Sequence, residues 1–387
     1  MTILTFIIVV VAFVDTMALL PILSPFAVSL GARSVMVGLI LGTYSLVNMV
    51  GNVIAGPIID RRGRRVTIRF GMVVAGLSLA AYALVTAPWQ LLVLRAFHGA
   101  GGAILVPAAF AHAGDRSSSG KVGRSMGVAG AAVATAALIG PAIGGIGHVA
   151  LGFRPVFAGV GMLLVIVALT LVRSVDDPPT VARDTTMNSA ARSDSVPTVI
   201  ANPTLQYAYI SVFALTFAMG TLAYAFPLTM AEIGLSSAHT GALLSLFAAA
   251  AILVLVLPTN RLSDRYGRRP LAIAGSLAVG LALAGVAVAR SRAMLSAAMI
   301  VYGIGYGTLF PVCCALVVDE TTPGDRGTAF GLFYAVFSLG VVAGPVVTGA
   351  IGTAFSPYLV AIALIVAVRA ILSAPRFAGR EIVGLRG

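Results

Sequence analysis

The residues best suited to chemistry are the few charged side chains that fall inside long apolar stretches, because only 10% of the chain is charged. Asp15 is the first of them and lies within VVVAFVDTMALLPILSP. A carboxylate is expensive in such surroundings and indicates a functional site. Asp15 is therefore predicted to bind a proton or a cationic substrate. The alternative is a structural role, in which Asp15 stays charged and pairs with a buried arginine.

Arg95, within LRAFHGAGGA, is the natural partner for that carboxylate. Arginine does not deprotonate in proteins, so Arg95 is expected to keep Asp15 ionised until substrate or a conformational change separates them. His98 lies three residues further on and shares a helix face with Arg95. An imidazole at this place could shuttle protons near neutral pH, although packing with a hydrogen bond is the commoner role of a lone histidine.

The composition places these residues in a membrane protein. The chain has 387 residues, 59% of them hydrophobic, and a mean hydropathy of +1.02. Soluble domains carry roughly 25% charged residues, far more than this chain. The net charge of +12 would suggest nucleic acid in a soluble protein. In a membrane protein it marks cytoplasmic loops, so we expect a lipid bilayer and no nucleic acid as partner. Cys313 and Cys314 are adjacent and indicate no disulfide, redox or metal site.

About 12 apolar segments are long enough to cross a bilayer, which needs about 20 residues for each helix. Those of the first half are 3–23, 34–58, 66–87, 90–113, 121–147 and 154–174. Those of the second half are 204–230, 238–260, 270–289, 293–318, 325–350 and 356–374. The intervening stretch is polar and contains prolines, as flexible linkers do. We therefore expect a six-helix bundle at 1–174, a cytoplasmic linker at 175–203, a second six-helix bundle at 204–374 and a cytoplasmic tail at 375–387.

Basic residues indicate the orientation of these spans. They concentrate in loops on one side, above all at 61–69, 116–124 and 261–269, whereas the other side carries Arg33, Arg154, Arg290 and Arg292. Because basic loops stay in the cytoplasm, both termini are predicted to be cytoplasmic and the protein to lie in the cytoplasmic (inner) membrane.

Two similar charged segments reveal an internal duplication. GPIIDRRGRR runs from Gly56 to Arg65, and NRLSDRYGRR runs from Asn260 to Arg269, so that their aspartates lie 204 residues apart. The same offset joins Gly140-Pro141 to Gly344-Pro345. Six spans in each copy give both copies the same orientation, related by an axis along the membrane normal. The predicted fold is an all-α membrane protein with 12 transmembrane helices in two six-helix bundles of pseudo-twofold symmetry.

These motifs resemble the signature of the major facilitator superfamily, a Gly-x-x-x-Asp-Arg-x-Gly-Arg-Arg loop between spans two and three. The matching residues are Gly56, Asp60, Arg61, Gly63, Arg64 and Arg65. In the second copy they are Asp264, Arg265, Gly267, Arg268 and Arg269, with Asn260 where glycine is usual. The resemblance covers nearly the whole chain and implies a major facilitator fold.

The signature loop has two interpretations. Its glycines, Gly63 and Gly267, allow a tight turn with positive φ, and its arginines mark the cytoplasmic side. By resemblance, Asp60 also accepts hydrogen bonds from Arg64 and from the N-terminus of span eleven near Pro323, whose dipole favours an anion. Such a latch would gate the inner face. The alternative is a purely structural turn.

The fifth span, GVAGAAVATAALIGPAIGG, carries a stripe of small residues every four positions. Such a stripe allows another helix to approach closely. By resemblance, the Gly-Pro with further glycines matches the antiporter motif of the superfamily and favours efflux over uptake. Its residues are Gly140, Pro141, Gly144 and Gly145, with Gly344 and Pro345 in the second copy. Ordinary packing of small residues is the alternative. The context of Asp15 likewise resembles the first span of the 12-span drug:proton antiporters.

The second half has no comparable charge in the middle of its spans, and its cavity candidates are aromatic or small. They are Tyr224, Phe226, Tyr302, Tyr306 and Phe310. A cavity with one charged wall and one apolar wall suits an amphiphilic or cationic organic molecule. No metal-protease, serine-hydrolase or phosphate-loop motif is found, so we expect no enzyme, no cofactor and no metal, and transport driven by a proton gradient.

The prediction is thus a monomeric carrier that works by alternating access and exports small, drug-like, apolar or cationic compounds in exchange for protons. Such efflux would confer multidrug resistance. A proton-coupled uptake symporter for a sugar or metabolite and an exporter of lipid or lysolipid are the alternatives. A sensor derived from a transporter also fits the sequence.

Overall fold

The structure, a computed structural model, describes residues 3–115, 122–174, 199–256, 267–321, 326–352 and 356–373. These ranges are helical and contain no strand. The helices of the first half are α1 (Ile3–Leu19), α2 (Leu23–Ser29), α3 (Ser34–Arg62), α4 (Arg64–Ala81), α5 (Pro88–Asp115), α6 (Val122–Leu151) and α7 (Phe153–Thr170). Those of the second half are α8 (Pro203–Glu232), α9 (Ser237–Val256), α10 (Arg268–Val288), α11 (Arg292–Asp319), α12 (Arg326–Ile351) and α13 (Pro357–Leu372). The predicted all-α class is confirmed.

Within those ranges, ten helices are long and apolar enough to cross a membrane, and the bent pair of α1 and α2 forms an eleventh candidate. The apolar helix α13 is shorter, with 16 residues. Taken in order, these segments correspond to the predicted spans, and most ends agree within a few residues. Long apolar runs bounded by charge or by Gly and Pro account for this agreement.

The first span departs from the single segment predicted at 3–23. The chain bends by 46° between α1 and α2, and the second piece continues to Ser29. Pro21 lies at the bend, and a proline cannot donate the backbone hydrogen bond that would continue α1. The span is therefore longer than the predicted segment and broken within it.

Both signature loops contain the predicted turn. Gly63 has a φ of 81° directly before α4, and Gly267 has a φ of 86° directly before α10. Residues with a side chain rarely adopt this conformation. The expectation of a tight turn at these two glycines is confirmed.

The chain divides into two compact units. The first comprises Met1–Ala182, Gly220–Ala249 and Val342–Ala354, and the second comprises Arg183–Met219, Ala250–Val341 and Phe355–Gly387. The boundaries between these two compact units fall within α8, α9 and α12. The division expected from the sequence lies at the linker.

Glycine contacts repeat the internal duplication in each unit. In the first, a Cβ added to Gly101 on α5 would lie 2.9 Å from the carbonyl oxygen of Gly71 on α4. In the second, a Cβ added to Gly305 on α11 would lie 2.9 Å from the carbonyl oxygen of Gly275 on α10. The two pairs occupy equivalent positions at the 204-residue offset. Helix pairs that approach this closely need glycine at the crossing.

Gly101→Ala is expected to destabilise the folded protein by about 1–3 kcal/mol, because the methyl group would overpack the crossing of α4 and α5. Its Cβ would also lie 2.7 Å from the backbone nitrogen of Ala75. Thermal unfolding of the purified protein in detergent measures the change. Gly159→Ala is the matched control, since a Cβ there meets no atom within 4 Å. Equal unfolding temperatures for the two variants would contradict the packing argument.

Candidate functional site

Asp15 lies near the end of α1 and is 1% exposed. Its Oδ1 accepts a hydrogen bond from the backbone N–H of Thr16 at 2.5 Å. Its Oδ2 lies 3.0 Å from Nε2 of His98 on α5, and His98 is 0% exposed. The structure therefore brings two residues of the predicted coupling site into direct contact, away from water.

The contact between Asp15 and His98 suits two protonation states. An ionised Asp15 accepts a hydrogen bond from Nε2–H, whereas a protonated Asp15 donates one to a bare Nε2. A buried carboxylate needs such a partner, because an unpaired charge in an apolar interior is strongly unfavourable. The pair can thus gain or lose a proton while its heavy atoms stay in place.

Two tyrosines that the sequence analysis did not single out complete the surroundings of His98. The hydroxyl group of Tyr82, in a short 3₁₀ helix after α4, lies 3.1 Å from Nδ1 of His98 and is buried. The ring of Tyr44 on α3 meets the imidazole edge-on, with centroids 5.0 Å apart. The sequence did contain a signal for these two residues, because each is a tyrosine within an apolar span. A tyrosine hydroxyl group that is buried there usually has a hydrogen-bond partner.

The expected pairing of Arg95 with Asp15 is not found. Its Nε donates to the carbonyl oxygen of Ile40 at 3.1 Å, and its Nη2 donates to that of Leu41 at 3.3 Å. Its Cζ lies 4.6 Å from the ring centroid of Tyr44. The guanidinium group therefore reaches from α5 to α3, and the direct partner of Asp15 is His98. A role of Arg95 in coupling remains a prediction, but it would act through α3 and Tyr44.

The signature loops are described in part. The side chains of Asp60 and Arg61, both within α3, lie outside the described residues, as does the burial of Gly56. Asp264, Arg265 and the start of span eleven near Pro323 also lie outside the described residues. Among the described residues, Arg268 at the start of α10 donates to Oδ2 of Asp319 at the end of α11, at 3.1 Å. The latch expected at Asp60 therefore stays a prediction.

The small residues of α6 contact two other helices of the first unit. A Cβ added to Gly140 would overlap the side chain of Met17, and one on Gly144 would overlap the carbonyl group of Ala18, both on α1. A Cβ on Gly145 would overlap the carbonyl group of Ser237 at the start of α9. Gly140 and Gly144 of the stripe thus form a close crossing with α1, and the adjacent Gly145 forms one with α9.

An equivalent crossing joins α3 to α12 in the same unit. A Cβ on Gly38 would overlap the carbonyl oxygen of Pro345, and one on Gly349 would lie 2.5 Å from the carbonyl oxygen of Ser34. Gly344 is buried beside them. Both copies of the Gly-Pro motif therefore lie where two helices approach with almost no side chain between them.

The five predicted cavity aromatics are divided between the two compact units. Tyr224 and Phe226 belong to the first unit, and Tyr302, Tyr306 and Phe310 belong to the second. Phe226 and Tyr302 are fully buried and form part of the helix core. Tyr306 and Phe310 are partly exposed and stack with centroids 5.9 Å apart. Phe310 also contacts Phe333 and Phe337 of α12, residues that the sequence analysis missed.

The comparisons with known proteins agree in family. The sequence profile of the Major Facilitator Superfamily matches residues 5–205 and 208–381. Multidrug resistance protein MdtG of Escherichia coli O9:H4 (strain HS) is 24% identical over 322 residues, covering 81% of this chain and 77% of that protein. Tetracycline resistance protein, class C, of Escherichia coli is 38% identical over 130 residues, covering 33% of this chain and 32% of that protein. The crystal structure of the nucleoside transporter NupG superposes with a TM-score of 0.77 at 14% identity, covering 96% of this chain and 100% of that one.

Cysteines at positions 148 and 237 are expected to become cross-linked by a short bifunctional thiol reagent. His148 of α6 and Ser237 of α9 are in contact, with Nδ1 and Oγ 2.8 Å apart. The background would carry Cys313→Ala and Cys314→Ala, and a protease site inserted between residues 175 and 198 would separate the two halves after cleavage. A cross-link keeps the halves together on a denaturing gel.

Each single-cysteine variant, treated in the same way, is the control for non-specific linkage. Halves that separate even though both cysteines are modified would contradict the contact between α6 and α9.

Proposed function

The chain belongs to the major facilitator superfamily, and on that basis we propose that it exports small apolar or cationic organic compounds in exchange for protons. As a member of this family it is a multi-pass membrane protein that transports small molecules, and it is not an enzyme. The substrate class, the direction of transport and the coupling to protons are the proposed part.

The observation that carries the proton coupling is the buried contact between Asp15 and His98. A carboxylate and an imidazole with 1% and 0% exposure are unfavourable within apolar helices unless each satisfies the other. Replacement of such a pair by well-packed apolar residues is often neutral or stabilising, so stability alone does not explain why the pair is there. Proton binding gives it a function, since intramembrane ionisable residues commonly belong to proton pathways.

Two relatives support the proposed substrate class. The names of the matched proteins refer to multidrug resistance and to tetracycline resistance. The likeness to the nucleoside transporter, at 14% identity, supports the fold alone. A drug-like organic compound is therefore the favoured cargo.

The proposal of export rests on the resemblance of the Gly-Pro motifs to the antiporter motif of the superfamily, and both copies lie at tight helix crossings. Gly145 lies against α9 and Gly38 lies against Pro345, so both copies of the motif form tight contacts at the ends of helices that we assign to the outer face. Such contacts would have to open for release to the outside, while the Asp60 loop would gate the inner face. We place the carrier in the cytoplasmic membrane as a monomer with both termini in the cytoplasm.

Asp15→Asn is expected to abolish proton movement coupled to export. The amide has nearly the same shape as the carboxylate but cannot gain or lose the proton at this site. The measurement uses proteoliposomes that contain a pH-sensitive dye, with ethidium as a lipophilic cation, chloramphenicol as a neutral drug, a sugar and a lysolipid as probes. Proton movement opposite to ethidium or chloramphenicol, lost in the variant, supports the proposal.

Glu232→Gln is the matched control, because it makes the same chemical change at an exposed position at the end of α8. Proton movement in the same direction as the sugar would instead establish a symporter, and export of lysolipid would establish a lipid exporter. Unchanged coupling in Asp15→Asn would remove Asp15 from the mechanism.

A further inference from the structure

We propose that the extra proton of the coupling site resides on His98, held between Asp15 and Tyr82, and that Tyr82 is the positioning residue that makes this possible. The inference rests on the proposed proton coupling and deepens it. Asp15 alone was the carrier expected from the sequence, with Arg95 as its partner. In the structure, the imidazole of His98 lies between the carboxylate of Asp15 and the hydroxyl group of Tyr82.

His98 has a partner on each ring nitrogen. Nε2 lies 3.0 Å from Oδ2 of Asp15, and Nδ1 lies 3.1 Å from the hydroxyl oxygen of Tyr82. All three side chains are buried. They form one chain of hydrogen bonds, from α1 through α5 to the 3₁₀ helix that follows α4.

The titratable and charged groups near His98 come from four elements. They are Asp15 from α1, Tyr44 from α3, Tyr82 from the 3₁₀ helix, and Arg95 from its own helix α5. Arg95 donates to carbonyl oxygens of α3 and lies over the ring of Tyr44, and its positive charge also acts on His98 and Tyr82. Tyr44 meets the imidazole edge-on. Among these, Asp15 and Tyr82 have atoms within hydrogen-bond distance of the ring nitrogens.

The hydroxyl group of Tyr82 suits both protonation states of the ring. With neutral His98 and ionised Asp15, Tyr82 donates to Nδ1 while Nε2–H donates to the carboxylate. When one proton is added, it binds Nδ1, and the new N–H donates to the oxygen of Tyr82 after a rotation of the hydroxyl hydrogen. No heavy atom moves, and the net change is one proton on the imidazole.

Burial makes this arrangement necessary. An imidazolium without partners would be unfavourable among apolar helices. Here its positive charge lies against the carboxylate of Asp15, and its second N–H has an acceptor in Tyr82. Without the hydroxyl group, Nδ1–H would be a buried charged donor with no acceptor, which is the more costly kind of unsatisfied group.

The inference separates the roles of the three side chains. Asp15 supplies the charge that stabilises the added proton, His98 carries it, and Tyr82 satisfies the second nitrogen. Substrate or a conformational change that parts α1 from α5 would remove the carboxylate from Nε2 and release the proton. The proton and the position of α1 would thereby be coupled.

The test is ¹⁵N NMR of the full-length protein in nanodiscs with labelled histidine, recorded across a pH series. The chain has four histidines, and the His98 signals are assigned by their loss in His98→Gln. In the wild-type protein, both nitrogens of His98 are expected to become protonated as the pH falls. In Tyr82→Phe, the midpoint is expected to move to lower pH by about one to two pH units, from the loss of one hydrogen bond to a charged group.

Tyr209→Phe is the matched control. It also removes one buried hydroxyl group that donates to a carbonyl oxygen, that of Ala329 at 3.2 Å, in the second unit. The control is expected to lower thermal stability while leaving the midpoint of His98 unchanged. Size-exclusion profiles confirm that each variant is folded before the titration. A loss of overall stability is expected in both variants, whereas the shift of the His98 midpoint is expected in Tyr82→Phe alone.

Three outcomes decide the matter. A shift in Tyr82→Phe and none in Tyr209→Phe supports the assignment. A His98 ring that keeps a single proton throughout, or an unchanged midpoint in Tyr82→Phe, overturns it. Because the titration needs no substrate, failure of the proposed function would show separately, as the absence of proton movement with every probe in proteoliposomes.

Discussion

The burial of Asp15 is the constraint on which the arrangement of the N-terminal helices depends. A carboxylate without water needs a hydrogen-bond donor at close range, and His98 meets that need only if α5 lies directly beside α1. Two further helices must also approach α5 to supply Tyr44 and Tyr82. The glycines that follow His98 permit this, since a Cβ on Gly99 would lie 2.5 Å from the carbonyl oxygen of Tyr44. The glycine-rich sequence beside His98 thus permits the close helix packing that the buried site requires.

The duplicated half keeps this packing without its chemistry. Gly275 and Gly305 reproduce the contact of Gly71 with Gly101 at the same offset. The position equivalent to His98 is occupied by Tyr302, which is fully buried. The buried contact between a carboxylate and an imidazole therefore belongs to the first half. The second half has aromatic side chains and a different polar contact, in which Arg369 of α13 donates to Tyr207 and Ser211. A duplicated scaffold tolerates this difference because the helix crossings depend on small residues rather than on the polar side chains.

The sequence predicted the spans well because each is a long apolar run with clear ends, and it predicted the turns at Gly63 and Gly267 because the repeated motif required them. It missed the bend at Pro21, where a local hydrogen bond is lost inside an otherwise continuous apolar run. It also favoured Arg95 over His98 as the partner of Asp15. Charge alone suggested the arginine, yet the guanidinium group is engaged by carbonyl oxygens of α3.

The sequence by itself determined that the chain is a duplicated bundle of membrane-spanning helices with a buried carboxylate and stripes of small residues. Composition, periodicity and motif spacing contain that information because each acts along the chain. Only the tertiary structure decided which side chain meets Asp15 and that Tyr82 completes the contact. Residues 15, 82 and 98 lie on separate helices, and their separation in the folded protein depends on how closely the glycines between them allow those helices to pack.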